Sequence, residues 1–323
     1  MVWQDLLRRT GEASQGGTQG EMNPTALPFA KMEGMGNDFV LLEWEALPSD
    51  WQTRLDLLAQ RLCHRPFGIG ADGLLLIQRK TPERVAMRMF NPDGTEDFCG
   101  NGLRCVARYA YEHGYTDRTE FVIEAFRGQT VPVRLHTLHG SVEQITTWLP
   151  APRFHPSQIP MQIEGEQVDD YPLFVGNEKL HISAVNTGTT HTVLFTDRLP
   201  EDARFLNISP KLETHPLFPE RTSVIWAVVE APDTIYIRIW ERGVGETLGC
   251  GSGSAAVAVL AQRAGWVSDQ VSVISKGGQV QIRWHPPTHI ELTGNASLRF
   301  EGTYWLLDQC VSTSWTRLRE PRA

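Results

Sequence analysis

Two stretches carry residues whose types and spacing could do chemistry. They are Asn91-Pro-Asp-Gly-Thr-Glu-Asp-Phe-Cys-Gly-Asn-Gly-Leu-Arg-Cys105 and Gly245-Glu-Thr-Leu-Gly-Cys-Gly-Ser-Gly-Ser-Ala-Ala-Val257. In each, a Gly lies five positions before a Cys (Gly94 before Cys99, Gly245 before Cys250), and Gly-(Asn/Ser)-Gly follows the Cys. Each then enters a run that reads as a helix, Leu103 to Tyr111 and Ala255 to Ala264. A Gly-rich turn feeding a helix leaves backbone N–H groups unpaired and directed outward. A Cys at that place sits in a positive field that favours its thiolate. Two such turns, at matching places in two halves of a chain, point to one site built from both halves.

Two facing thiols admit three readings. They could be small, inert core residues. They could be a redox pair that forms a disulfide during turnover. Or one thiolate could remove a proton from carbon while the other thiol supplies one from the opposite face, which inverts a stereocentre. The glycine flanks weigh against the inert reading, because such turns are where ligands approach backbone. Helix N-termini would also stabilise an α-carboxylate and the charge it gains when the α-proton leaves. From the residues alone acid–base catalysis leads, and the other two stay open.

The rest of the chain must position these turns. Its 323 residues suffice for about two domains, and 41% hydrophobic residues suffice for their cores. A net charge of −8 argues against a nucleic-acid-binding surface. Five cysteines in no zinc-like spacing, with Cys99 and Cys105 too far apart for a Cys-x-x-Cys clip, fit reduced thiols in a cytoplasm and give no metal site. No apolar run is long enough to span a membrane. Residues 1–28, Gly-, Ser-, Thr- and Gln-rich over 11–20, read as a disordered extension, with Met22 an alternative start.

From Phe29 the chain reads as strand, Gly-rich turn (33–39) and strand, then a helix over 49–64 with Ser49 as its cap. Asn37 in that turn either binds a ligand or takes a left-handed conformation. A loop follows at 66–73, then strands at 74–78 and 86–90, the first cysteine turn and helix, and strands at 120–124, 130–135 and 141–148. Pro150-Ala-Pro152 marks a change of domain. The second half has strands around Phe174 and at 180–185, 192–195, 223–230 and 234–240. The second cysteine turn and helix come next, and strands at 271–275, 279–284, 289–292 and 304–307 close the chain. Each half is many strands plus one buried helix, so an internal duplication is the simplest account. Residues 309–323 form a tail.

Several motifs resemble those of diaminopimelate epimerases. They are Phe29-Ala-Lys-Met-Glu-Gly-Met-Gly-Asn-Asp-Phe39, the stretch Phe90 to Cys105, Glu241-Arg-Gly-Val-Gly-Glu-Thr-Leu-Gly-Cys-Gly-Ser-Gly253, Gly68-Ile-Gly-Ala-Asp-Gly73 and Phe218-Pro-Glu-Arg221. The resemblance covers nearly all of 29–308. It implies an α/β (α+β) fold of two pseudo-symmetric domains, 29–149 (completed by a strand at about 296–308) and 150–295, each a mixed, barrel-like sheet wrapped around a central helix. It also implies a cofactor-independent, homodimeric enzyme that interconverts LL- and meso-diaminopimelate, with no nucleic-acid or membrane partner.

By the same resemblance Cys99 and Cys250 are the catalytic thiols. Gly100, Asn101, Gly251 and Ser252 offer donors to the reacting carboxylate. Asn37, Asn91, Glu241 and Arg242 bind substrate, with Arg242 on the distal carboxylate, where the alternative is a surface or interdomain salt bridge. His191 and Glu241 tune the thiol pKa values. Three places depart from the family pattern. Gly188-Thr-Thr-His191 stands where Gly-Asn-Pro-His is common, so Thr189 replaces a substrate-binding Asn. Thr222-Ser223 stands for Thr-Asn, and Gly73 for a Gln of some members. These changes spare both thiols, so stereoinversion at an α-carbon is the firmer expectation and diaminopimelate the softer. The other expectations are a sister racemase, for example of histidine, then a non-catalytic binding protein, then a thiol redox protein.

Overall fold

The computed structural model describes residues 25–306, and its main compact unit runs from Pro28 to Gly302. The first half contains β1 (Thr25–Gly34), β2 (Asn37–Glu43), α1 (Ser49–Gln52), α2 (Leu55–Cys63), β3 (Gly73–Thr81), β4 (Arg84–Phe90), β5 (Glu96–Asp97), α3 (Gly100–Glu112), β6 (Glu120–Glu124), β7 (Thr130–Leu138) and β8 (Ser141–Leu149). The second contains β9 (Val168–Val175), β10 (Glu178–Asn186), β11 (Thr190–Phe195), α4 (Asp202–Glu213), β12 (Ser223–Ala231), β13 (Thr234–Glu241), β14 (Gly245–Thr247), α5 (Gly251–Arg263), β15 (Gln270–Ser275), β16 (Gly278–Trp284) and β17 (Ile290–Gly294), followed by β18 (Ser297–Leu306).

The strands form because apolar side chains alternate along them. In β7, Val131, Val133 and Leu135 point inward and their neighbours outward. The two long helices form for a different reason. In α5 nearly every face is apolar or small, as in the Ser254-Ala-Ala-Val-Ala-Val-Leu-Ala261 run, and a helix apolar all round is stable only when it is surrounded. Helix α3 carries Arg104, Arg108 and Glu112, yet every residue from Asn101 to Ala107 is buried. Each lies at the centre of its own core. One core joins Leu103, Val106, Ala107 and Ala110 to Leu75, Val85 and Val133. The other joins Ala255, Val257, Val259 and Ala261 to Ile225, Ile237 and Val273.

The two halves repeat each other pairing by pairing. β2 runs parallel to β3 across α2, and β11 runs parallel to β12 across α4. β4 pairs with β5 antiparallel and β6 parallel, as β13 pairs with β14 and β15. An arginine–glutamate fork recurs too. Arg88 holds both oxygens of Glu96 at 2.7 Å, and Arg238 holds Glu246 at 2.9 and 3.0 Å. Both helices end at a left-handed glycine, Gly114 (φ 69°) and Gly265 (φ 74°). The N–H groups of Tyr115 and Trp266 then return to Ala110 and Ala261. β8 meets β17 antiparallel, Glu291 opposite Trp148, so one sheet runs across both halves.

Four sequence expectations need correction. β1 begins at Thr25, so the extension cannot reach residue 28; residues 1–24 and the tail 309–323 lie outside the described residues. The turn expected over 33–39 contains only Met35 (φ 56°) and Gly36 (φ 81°), and Asn37 begins β2. The 49–64 helix breaks at Thr53-Arg54, where Arg54 has φ −132° and ψ 40°; Ser49 is inside α1 and its hydroxyl bonds to Asp50 instead of capping. Helix α4 was not expected at all. Its core residues Phe205, Ile208 and Leu212 have helical spacing, but Pro210 hides it. The proline is tolerated because the carbonyl it leaves free belongs to Leu206, on the exposed side.

The hairpin turn of the first half is locked into the second. Met35 is a member of the α5 core. A Cβ on Gly277 would lie 2.1 Å from the Met35 carbonyl oxygen and 2.9 Å from that of Leu248. Both are backbone atoms and cannot swing aside. Gly277→Ala should therefore destabilise the protein by about 2–3 kcal/mol, read as a lower urea midpoint. An unchanged midpoint would mean that this contact bears no load.

Candidate active site

Cys99 and Cys250 occupy the same position in the two halves, immediately before α3 and α5. Their backbones coincide, at φ −135°, ψ 116° and φ −133°, ψ 115°. Both thiols are free, Cys99 half-buried and Cys250 buried. The two helix starts abut. Asn101 Nδ2 donates to the carbonyl of Gly249, next to Cys250, at 3.4 Å. A Cβ on Gly251 would stand 3.9 Å from Arg104 Nη1. The site is therefore assembled across the duplication.

A chain of hydrogen bonds fixes the floor of the site. Arg104 Nη2 donates to Asn101 Oδ1 at 2.6 Å, Asn101 Nδ2 to Asn37 Oδ1 at 2.6 Å, and Asn37 Nδ2 to Asp72 Oδ2 at 3.2 Å. Each amide has one oxygen and one nitrogen engaged, which sets its orientation. Arg104 is 1% exposed and makes no ion pair with a carboxylate among the described residues. Its other bonds go to the carbonyls of Gly100 (3.4 Å) and Asn295 (3.5 Å). A buried cation without an anion is costly, and here it lies beneath the two helix starts.

Charge acts unequally on the two thiols. Burial pushes both above the ordinary cysteine range. At Cys99 the N–H groups of Gly102 and Asn101 and the Arg104 charge oppose that rise, with Glu241 a minor contribution in its favour. At Cys250 the Glu241 charge comes second only to burial, and a Cys250–Glu241 hydrogen bond adds to it against smaller help from Ser252 and Gly253. Ser252 Oγ lies 3.5 Å from the Cys250 sulfur. Glu241 thus faces both thiols, held by Thr247 Oγ1 at 2.6 Å. Arg104 thus assists ionisation of Cys99, and Glu241 opposes it at Cys250.

His191 is fully buried, and burial, aided by the Arg242 charge, lowers its pKa to about 3. It is neutral at pH 7. Its Nε2 meets Thr189 Oγ1 at 3.0 Å, while Nδ1 is buried without a partner. The charges that act on the thiols are those of Arg104 at Cys99 and of Glu241 at both.

Arg242 is exposed, and among the described residues it makes no ion pair. Its Nη1 donates to the Glu220 carbonyl at 3.1 Å, which leaves most of the guanidinium fork available. Among the described residues the salt-bridge alternative finds no partner. Ser223 Oγ accepts from the Arg242 N–H at 3.1 Å. Asn91 is tied within its own turn, Nδ2 donating to Thr95 Oγ1 at 3.1 Å. Gly73 opens β3 opposite Phe39, and a Cβ there would come within 2.9 Å of Met89 Cε and 3.1 Å of the Phe90 carbonyl. It can offer a ligand only its backbone.

Sequence reasoning missed two residues that organise this site. Arg104 lay inside the first motif, and an arginine on an otherwise buried helix was the available signal. Glu213, 4% exposed at the end of α4, accepts from the Gly243 N–H and Trp240 Nε1 at 2.7 Å each and pairs with Arg221 at 2.8 Å. It fixes the loops that carry Arg221 and Arg242. No local signal marked it, because its partners are distant in the chain except for Arg221.

The family model for diaminopimelate epimerase matches residues 29–142 and 183–299, which include both cysteine turns. A diaminopimelate epimerase of Moorella thermoacetica is 41% identical over 280 residues, covering 85% of this chain and 98% of that protein. One from Desulfovibrio desulfuricans is 38% identical, covering 87% and 99%. Among solved structures, a hydroxyproline epimerase from Agrobacterium vitis with bound trans-4-hydroxy-L-proline superposes with a TM-score of 0.64 at 13% identity, covering 88% of this chain and 94% of that one. A PhzF-family protein from Bacillus anthracis gives 0.62 at 16%, covering 87% and 99%. Those two likenesses speak for the fold alone. The sequence matches span both halves and nearly the whole of each relative, and on them this chain belongs to the diaminopimelate epimerase family.

Proposed function

We propose that the protein interconverts LL- and meso-diaminopimelate by proton transfer between the α-carbon and two thiols. The observation that carries this reading is the matched placement of Cys99 and Cys250 at two abutting helix starts, with Glu241 facing both. A thiolate on one side takes the α-proton, and the thiol on the other returns a proton to the opposite face, which inverts the centre. Backbone donors at Gly100, Asn101, Gly251 and Ser252 hold the α-carboxylate and the charge that develops on it. Arg104 supports the thiolate from below. Arg242 takes the distal carboxylate, and Asn37, Asn91 and Glu241 complete the polar lining, with Gly73 giving backbone only. His191 acts as a neutral group held by Thr189.

The two halves, 29–149 and 150–295, serve as domains that close over the substrate and exclude water. The protein works as a homodimer in a reducing cytoplasm, without cofactor, nucleic acid or membrane. Its four described cysteines are free, and none of its described helices is long and apolar enough to cross a membrane.

One observation favours a second reading, a sister racemase for another amino acid. The Thr189 and Ser223 hydroxyls are shorter than amide arms and already bond to His191 and the Arg242 N–H, which limits their reach toward a distal group. The deciding experiment is deuterium incorporation at the α-carbon in heavy water, followed by NMR, with LL-diaminopimelate, histidine, lysine, glutamate and proline. Exchange with diaminopimelate alone is expected. Exchange with a different amino acid would keep the chemistry and change the substrate, and no exchange from folded, reduced protein would end the enzymatic reading.

A further inference from the structure

We propose that His285, His289 and Glu291 form a binding site for a first-row divalent cation such as Zn(II), at the seam between the two halves. The three side chains lie on the turn between β16 and β17 and on β17 itself. One donor atom from each falls within 4.8 Å of the others. The turn is closed by the His285 N–H on the His289 carbonyl (3.1 Å) and the Thr288 N–H on the His285 carbonyl (2.7 Å), and it brings the two imidazole centroids to 4.9 Å.

The ligand atoms are held but not satisfied. His285 Nε2 is enclosed and has no hydrogen-bond partner. Its neighbour is Glu291 Oε1 at 3.6 Å. That is too long for a hydrogen bond, yet two ligands ~2.0–2.1 Å from one tetrahedral ion stand about 3.4 Å apart. The surrounding bonds prepare the other two ligands. Thr288 Oγ1 spends its proton on the His285 carbonyl at 2.8 Å. Its contact with His289 Nδ1 at 3.3 Å must therefore be donated by the ring, which leaves the lone pair of that imidazole on Nε2. Trp148 Nε1 donates to Glu291 Oε1 at 3.3 Å and steadies the carboxylate.

Two imidazoles and one carboxylate suit Zn(II), Co(II) or Ni(II); Mg(II) and Ca(II) prefer oxygen ligands throughout. All three side chains are partly exposed, which leaves a fourth position for water. The site shares no residue with the thiol network. Because Glu291 stands opposite Trp148 in the β17–β8 pairing, the ion would brace the turn against the strand that joins the halves.

The test is a Co(II) titration of the tag-free, reduced, full-length protein, read by visible absorption and completed by Zn(II) competition. One equivalent should bind with the d–d bands of a nitrogen- and oxygen-ligated tetrahedral ion, and Zn(II) should displace it. His289→Gln and Glu291→Gln should each weaken binding at least about tenfold, and Trp148→Phe should weaken it less. These ligands are half-exposed, so the variants should keep the metal-free melting temperature. Failure to bind Co(II) or Zn(II), binding unchanged in both ligand variants, or a sulfur-to-cobalt charge-transfer band would each overturn the proposal.

Discussion

Replacing either Cys99 or Cys250 by serine is expected to slow α-proton exchange by about 10²–10⁴-fold while leaving the protein folded. Catalysis requires a group that is basic enough to take a carbon-bound proton and is appreciably ionised when it does so. A thiol, even one raised by burial, ionises far more readily than an alcohol, which stays protonated. The fold should survive because each cysteine immediately precedes a helix, with extended backbone, where serine is a favoured residue. Measuring kcat/KM in both reaction directions, together with a urea melt, separates lost chemistry from lost structure. Full activity in either variant would remove the two-base mechanism.

The second large effect is expected at Arg104. Arg104→Met removes the buried cation and leaves Asn101 Oδ1 and the Gly100 carbonyl without their donor, at about 1–3 kcal/mol of stability. The catalytic effect follows from sign. Arg104 lowers the Cys99 pKa, so without it the thiol ionises at higher pH and less thiolate is present at any given neutral pH. Alkylation of Cys99 by iodoacetamide reports this directly, since only the thiolate reacts. Its pH profile should move to higher pH in Arg104→Met, with kcat/KM falling about 10–100-fold, each tenfold step being about 1.4 kcal/mol. Arg104→Lys keeps the charge but cannot span three acceptors. Its alkylation profile should stay near wild type while kcat/KM still falls, because Asn101 loses its anchor. An unshifted profile in the methionine variant would make Arg104 purely structural.

Much of the architecture could be read locally. The repeated Gly–Cys–Gly turns, the small-residue run of α5 and the alternation in strands such as β7 are short-range patterns, and short-range sterics and burial produce the elements they mark. Duplication was legible because both turns had to keep the same backbone shape. Errors arose where a local signal was masked or overridden. Pro210 hid α4, and the break at Thr53-Arg54 cut an otherwise continuous apolar spacing.

By itself the sequence determined which groups could do chemistry: two cysteines at glycine turns, and the Glu241-Arg242 pair close before the second turn. Only the tertiary structure decided how those groups are tuned. It buried Arg104 without a carboxylate partner among the described residues, drove His191 to neutrality, and set Glu241 beside both thiols. It also locked the Met35 turn between Gly249 and Gly277 and brought Glu291 beside Trp148. The physical reason is one of range. Backbone conformation and amphipathic period depend on neighbours in the chain, whereas desolvation and Coulomb interactions depend on whatever folding brings within a few ångströms.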